Sequence, residues 1–215
     1  MNAINIKTEL CAAGLVGKSH WWGAPDLPTN IPYPYVMVSD DDGTYPEPLT
    51  FICQINLEEL AVVNTANLLP HKGMLYFFAA ISHFLGEESP IIIPFHGNSG
   101  NLVKVIYVPD ETDVQPYEMT WEGTDESVFR KAEKISFELG AASGYGNKLL
   151  SVPYHDEVRD AYPDKIALLQ IEENDDWNLH FFDCGTMYLL ITAEDLCNLD
   201  FNNLDCEIFT YSIRI

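Results

Sequence analysis

LTFICQINLEELAVVNTANLLPHKGMLYFF, Leu49 to Phe78, is the stretch whose reading decides the fold. Its apolar opening closes on Gln54-Ile55 and reads as a strand; Asn56 can cap a short turn of helix reaching Leu60. Gly73 then opens a second strand with Tyr76 at its centre. A matching phrase, KIALLQIEENDDWNLHFFDCGTMYLLITAEDL, runs from Lys165 to Leu196, with Gln170-Ile171, Gly185 and Tyr188 in the corresponding places. The two Gln-Ile ends lie 116 residues apart and the two Gly-x-x-Tyr starts 112 apart. Two offsets in the same order point to an internal duplication. The expected fold is α+β and sheet-rich, mainly antiparallel, with two related halves and few helices.

Around these phrases the chain reads as follows. Residues 1–20 are weakly patterned, with a short helix ending at Gly14 or Gly17 as the expectation. Ser19 to Val36 is dense in proline and aromatics and reads as an ordered coil anchored by buried Trp21 and Trp22. Ser39 to Pro48 reads as a surface turn, and Ile91 to Phe95 with Asn101 to Val108 as a hairpin. Val128, Ala132, Ile135 and Leu139 fall on one helical face, so Glu126 to Leu139 is expected to be a helix capped by Asp125 and ended by Gly140. Residues 141–164 form a long connection. Strands follow at Ile166–Ile171, Leu179–Phe182, Thr186–Ile191 and Glu207–Ile213, with Thr192 capping a short helix.

The chain has 215 residues, enough for one sizeable core. It holds 33 Asp and Glu against 11 Lys and Arg, a net charge of −22. That sign repels phosphate backbones and anionic membranes and favours encounter with a basic partner. Nucleic-acid and membrane binding are therefore excluded from the expected functions. The five cysteines show no paired spacing, which favours a reducing compartment. The longest apolar run, Met74 to Ile81, is far shorter than the ~20 residues of a membrane span. The expected location is the cytoplasm.

Three phrases carry a family resemblance: Ser19 with Gly23-Ala24-Pro25-Asp26-Leu27-Pro28; Leu49 to Asn56 with Leu68-Leu69-Pro70 and Gly73 to Phe78; and Leu168 to Ile171 with Asp183-Cys184-Gly185, Tyr188, Ile191 and Asp195-Leu196. Together they resemble the YwqG-like family, the DUF1963 domain, a bacterial family of unknown function. The resemblance spans nearly the whole chain. It implies one domain over residues 1–215, with halves at about 19–110 and 141–215, and no established catalytic residues. The family tends to have a glycine pair where Trp22-Gly23 stands, and a glycine in Leu149 to Pro153 where Ser151 stands. An indole at position 22 implies that the backbone there runs differently or stands further from its neighbour.

No catalytic signature emerges. Gly97 to Asn101 lacks the second glycine of a nucleophile elbow, and Gly144-Tyr145-Gly146 lacks the third of a dinucleotide fingerprint. Asp40-Asp41-Asp42-Gly43, aligned as a calcium loop, puts Val38 and Leu49 at obligatory ligand positions. His180 and Cys184 have no second pair to complete a zinc site. No catalytic residue, metal or cofactor is therefore expected. The residues singled out as ligand-binding candidates are Trp21, Trp22, Gln54, Gln170 and Asp183. For each, packing or turn formation is the alternative role. The functional expectation is a non-enzymatic protein-binding protein, an immunity or accessory protein for a basic partner. The alternative is an enzyme or small-molecule-binding protein with a site in the cleft between the halves.

Overall fold

The computed structural model describes residues 2–11, 14–41, 43–64, 66–110 and 113–211. In chain order these form β1 (Ala3–Leu10), β2 (His20–Trp21), β3 (Asp26–Pro28), β4 (Tyr35–Asp40), β5 (Gly43–Pro48), β6 (Thr50–Asn56), α1 (Leu57–Ala61), β7 (Met74–Ala79), β8 (Val103–Val108) and β9 (Val114–Pro116). The remainder are β10 (Glu133–Gly140), β11 (Lys148–Ser151), α2 (Asp156–Ala161), β12 (Lys165–Glu172), β13 (Thr186–Thr192), α3 (Ala193–Cys197) and β14 (Asp205–Phe209). Ten strands make one sheet in the order β14-β13-β12-β11-β1-β10-β2-β6-β7-β8, and every neighbouring pair is antiparallel. Two small hairpin sheets, β3-β9 and β4-β5, stand beside it.

The strand order is palindromic about the β1–β10 pair, and the registers repeat on either side. Gln54 faces His20 on one neighbour and Tyr76 on the other; Gln170 faces Lys148 and Tyr188. Each central strand carries an irregularity at the same place, between Phe51 and Cys53 and between Ala167 and Leu169. At the centre, Lys7 pairs with Ser136 in an eight-residue ladder. Gly73 and Gly185 precede the matching strands for one reason: a β-carbon would lie 2.3 Å from the Val108 carbonyl oxygen or 2.1 Å from that of Phe181. The short helices follow their caps. The Asn56 side chain accepts from the N–H groups of Glu58 and Glu59, and the Thr192 hydroxyl accepts from that of Asp195.

Segments of each half also lie on the other. Residues 95–98 run along the outer edge of β14, where Cys206 N donates to Gly97 O and Ile208 N to Phe95 O, both at 2.8 Å. The core holds Trp21, Ile52, Tyr76, Phe77, Phe78 and Phe181, all fully buried. Trp21 stacks on Trp177 at 5.2 Å, a contact worth about 0.5–1.5 kcal/mol beyond burial, and so joins β2 to the 3-10 turn Asp175–Trp177.

The structure corrects several expectations. Glu126 to Leu139 is not a helix: residues 133–140 are strand β10, and 126–132 are irregular. The apolar spacing fits a helical face, but the eight-residue ladder to β1 satisfies the backbone across the sheet and prevails over local pattern. Residues 3–10 are strand β1 instead of a helix for the same reason. Ser39 to Pro48 is most of the β4-β5 hairpin, not a bare turn. Ile91 to Phe95 forms no hairpin with β8, which pairs with β7 instead. Leu179 to Phe182 contributes only an isolated bridge, from Leu179 to Asn174. The connection at 141–164 contains β11 and α2. Residues 212–213 of the expected last strand lie outside the described residues.

Candidate functional site

The two glutamines do the same work in different places. Gln54 is fully buried; its Oε1 accepts from Asp26 N at 2.8 Å, and its amide nitrogen donates to Lys18 O at 2.9 Å and Asp26 Oδ2 at 2.6 Å. Gln170, also fully buried, donates to Gly144 O at 3.0 Å, Gly146 O at 2.8 Å and Glu172 Oε1 at 2.9 Å, and accepts from the Ser151 hydroxyl at 3.2 Å. Each amide pins a loop that arches over its strand. Five strand spacings separate β6 from β12, about 24 Å along the sheet at ~4.8 Å each, so the two do not line one cleft.

Beside Gln170, buried Glu172 receives the Thr186 hydroxyl at 2.8 Å, Gly146 N at 3.2 Å and the Tyr154 hydroxyl at 3.3 Å. Burial pushes its carboxyl above the usual range while those hydrogen bonds pull the other way. Burial also lowers Lys148 and raises the Tyr154 phenol to about 12. Beside Gln54 the buried acid is Asp26, which takes Gly17 N at 2.8 Å and lies 3.9 Å from His20 Nε2. These polar clusters are satisfied within the fold.

Trp22 follows β2 directly. It holds φ +55°, a left-handed conformation costing about 1–2 kcal/mol for a residue with a β-carbon. Leu150, its counterpart within β11, holds φ +53°, and the Ser151 hydroxyl donates to Gln170. The Trp22 indole is buried. Trp21 is fully buried in β2. Asp183 is exposed beside Cys184, whose thiol it pushes up, and its carbonyl accepts from the Thr210 hydroxyl at 2.8 Å. Of the five candidates, only Trp22 borders the cavity described next.

That cavity, about 350 Å³, lies between the Pro-rich coil, the start of β6, residues 82–88 and residues 119–130. Its walls include Trp22, Tyr33, Phe51, Trp121 and Phe129, and its charged residues are Glu47, Glu87, Glu88 and Arg130. Arg130 is pinned: Nη1 donates to Trp177 O at 2.6 Å, Nη2 donates to Glu87 Oε1 at 3.1 Å, and the guanidinium sits 5.5 Å from the Trp22 ring centre. It thus ties residue 177 of the second half to residue 87 of the first. Glu47 accepts the Ser89 hydroxyl at 3.1 Å. A wider hollow of about 650 Å³ lies between the Pro-rich coil, residues 100–106 and residues 201–202, and among the described residues Lys104 is its charged lining residue.

The sequence reading missed Phe129 and Arg130 because it placed residues 126–139 on a helix, and missed Glu47, Glu87, Glu88 and Trp121 because they lie on separate segments that only the fold brings together. The signal present was the aromatic density of Trp22 and Tyr33 among prolines.

Among the described residues, no three His, Cys, Asp or Glu side chains gather as metal ligands, and no helix is long and apolar enough to cross a membrane. The model of the domain of unknown function DUF1963 matches residues 19–143 and again 112–208. The chain belongs to the DUF1963 family. No curated protein matches it. The first match holds β2 to β10 and the second runs from β9 into β14, so the two overlap over residues 112–143, which contain β9 and the central strand β10.

Proposed function

We propose that the chain is a non-enzymatic binding protein of the bacterial cytoplasm that captures a basic protein partner, as an immunity or accessory protein does. One observation carries this reading: the chain has 33 Asp and Glu against 11 Lys and Arg, and three of the nine carboxylates seen in ion pairs among the described residues are paired through histidine. With 11 Lys and Arg in all, the protein cannot neutralise itself. A field of that sign speeds encounter with a cationic surface and is screened by salt. Stopped-flow association with a lysine-rich peptide tests it. The rate should fall at least tenfold between low and physiological salt, and an acidic peptide of equal length should not associate. A rate independent of salt contradicts the reading.

A second reading, small-molecule binding, is favoured by the same cavity, which Arg130 borders and whose lining residues run from Trp22 to Arg130. It differs from the cleft expected between Gln54 and Gln170.

We also propose that the two sides of the sheet arose by duplication. The matching registers of Gln54 and Gln170, the paired irregularities and the twofold match to one family model support it.

A further inference from the structure

We propose that the cavity beside Trp22 receives a lysine or arginine side chain presented by the basic partner. The inference rests on the binding reading above and adds the site and the chemistry it recognises. The cavity volume, about 350 Å³, is at the small end for a ligand site and suits one side chain better than a cofactor. Its aromatic and apolar lining suits a cation and the methylene stem behind it.

The charges select the sign. Arg130 is matched by Glu87, which leaves Glu47 and Glu88 on the wall with no basic partner among the described residues. Arg130 also shows how a cation is held here, its guanidinium lying against the Trp22 indole. The Trp22 indole N–H is buried and has no acceptor among the described residues. Trp121, 55% exposed, is the most exposed aromatic residue of the cavity wall.

The test titrates the whole chain with N-acetyl-lysine methylamide, N-acetyl-arginine methylamide and N-acetyl-norleucine methylamide, which keeps the stem and lacks the charge. Binding is followed by the indole N–H resonances, with a decalysine peptide as the macromolecular probe. The cationic amides should shift the Trp121 resonance and bind about tenfold more tightly than the norleucine amide. Trp121→Ala and Glu88→Gln should each weaken both the cationic amides and decalysine about five- to tenfold. Trp121→Ala is chosen because its exposure leaves the fold intact, and the other indole resonances check that. Equal binding of the norleucine amide overturns the proposal. So does decalysine binding that both variants leave unchanged, which keeps the wider reading while removing this site. Failure of decalysine to bind the unaltered chain at low salt overturns the wider reading itself.

Discussion

The two sides of the sheet share a frame and differ in what connects its strands. Between β2 and β6 the chain spends residues 22–49, a Pro-rich coil and the β4-β5 hairpin; between β11 and β12 it spends residues 152–164 and the short helix α2. The first connection supplies Trp22, Tyr33 and Glu47 to the cavity. The second packs Tyr154 and His155 against Tyr188 and Phe209 and closes over its own polar cluster. The glutamine and the tyrosine beside it stay; the Tyr76 hydroxyl donates to Asp26 O at 2.6 Å, whereas that of Tyr188 meets His155 Nδ1 at 2.8 Å. The lesson is that the ladder carries stability in both halves, while the loops inserted into it decide which half has room for a ligand.

If that comparison holds, the largest effects belong to the shared frame. Gln54→Leu and Gln170→Leu each abandon buried loop groups, and each should cost about 3 kcal/mol in urea unfolding, at about 1–3 kcal/mol per orphaned group. A loss under about 1 kcal/mol at one site and not the other would break the equivalence. Arg130→Met removes the tie between the halves and should cost about 2 kcal/mol, the range of one charged hydrogen bond.

A smaller, pH-dependent effect separates the halves. His155 is buried on Phe209 with its ring centre 3.8 Å away, and burial lowers its pKa, opposed by Glu157 and assisted by Arg159. The folded imidazole thus binds protons less readily than the unfolded one. Its contribution is intact above about pH 6.5 and declines as pH falls from there towards the lowered folded value. His155→Phe keeps the stacked ring and removes the imidazole partner of the Tyr188 hydroxyl. It should cost about 1–2 kcal/mol at pH 7.5 and flatten the fall in stability between pH 7 and pH 5. An unchanged pH slope would show that His155 is not the titrating group. The smallest expected effect on stability, under about 0.5 kcal/mol, is that of Trp121→Ala, because its side chain is half exposed.

What was legible in the sequence followed from local chemistry. The Gln-Ile strand ends, the caps at Asn56 and Thr192 and the glycines at 73 and 185 report requirements of their immediate neighbourhood, and all occur where expected. Strands β1 and β10 were not legible. Their hydrogen bonds join residues such as Lys7 and Ser136 across most of the chain, and their own patterns fit a helix as well as a strand. The cavity was hidden for a related reason: Trp22, Glu47, Glu88 and Arg130 come from four separate segments that only the folded sheet brings together. The glutamines stood out in the sequence because they repeat, and repetition marked the frame instead of the site.

The most direct measurement is a crystal structure of the chain soaked with N-acetyl-arginine methylamide at low salt. The account predicts a guanidinium within reach of Glu47 or Glu88, against the ring of Trp121 or Tyr33, with Arg130 still bound to the Trp177 carbonyl. A guanidinium held elsewhere on the acidic surface, with this cavity unchanged, would contradict it.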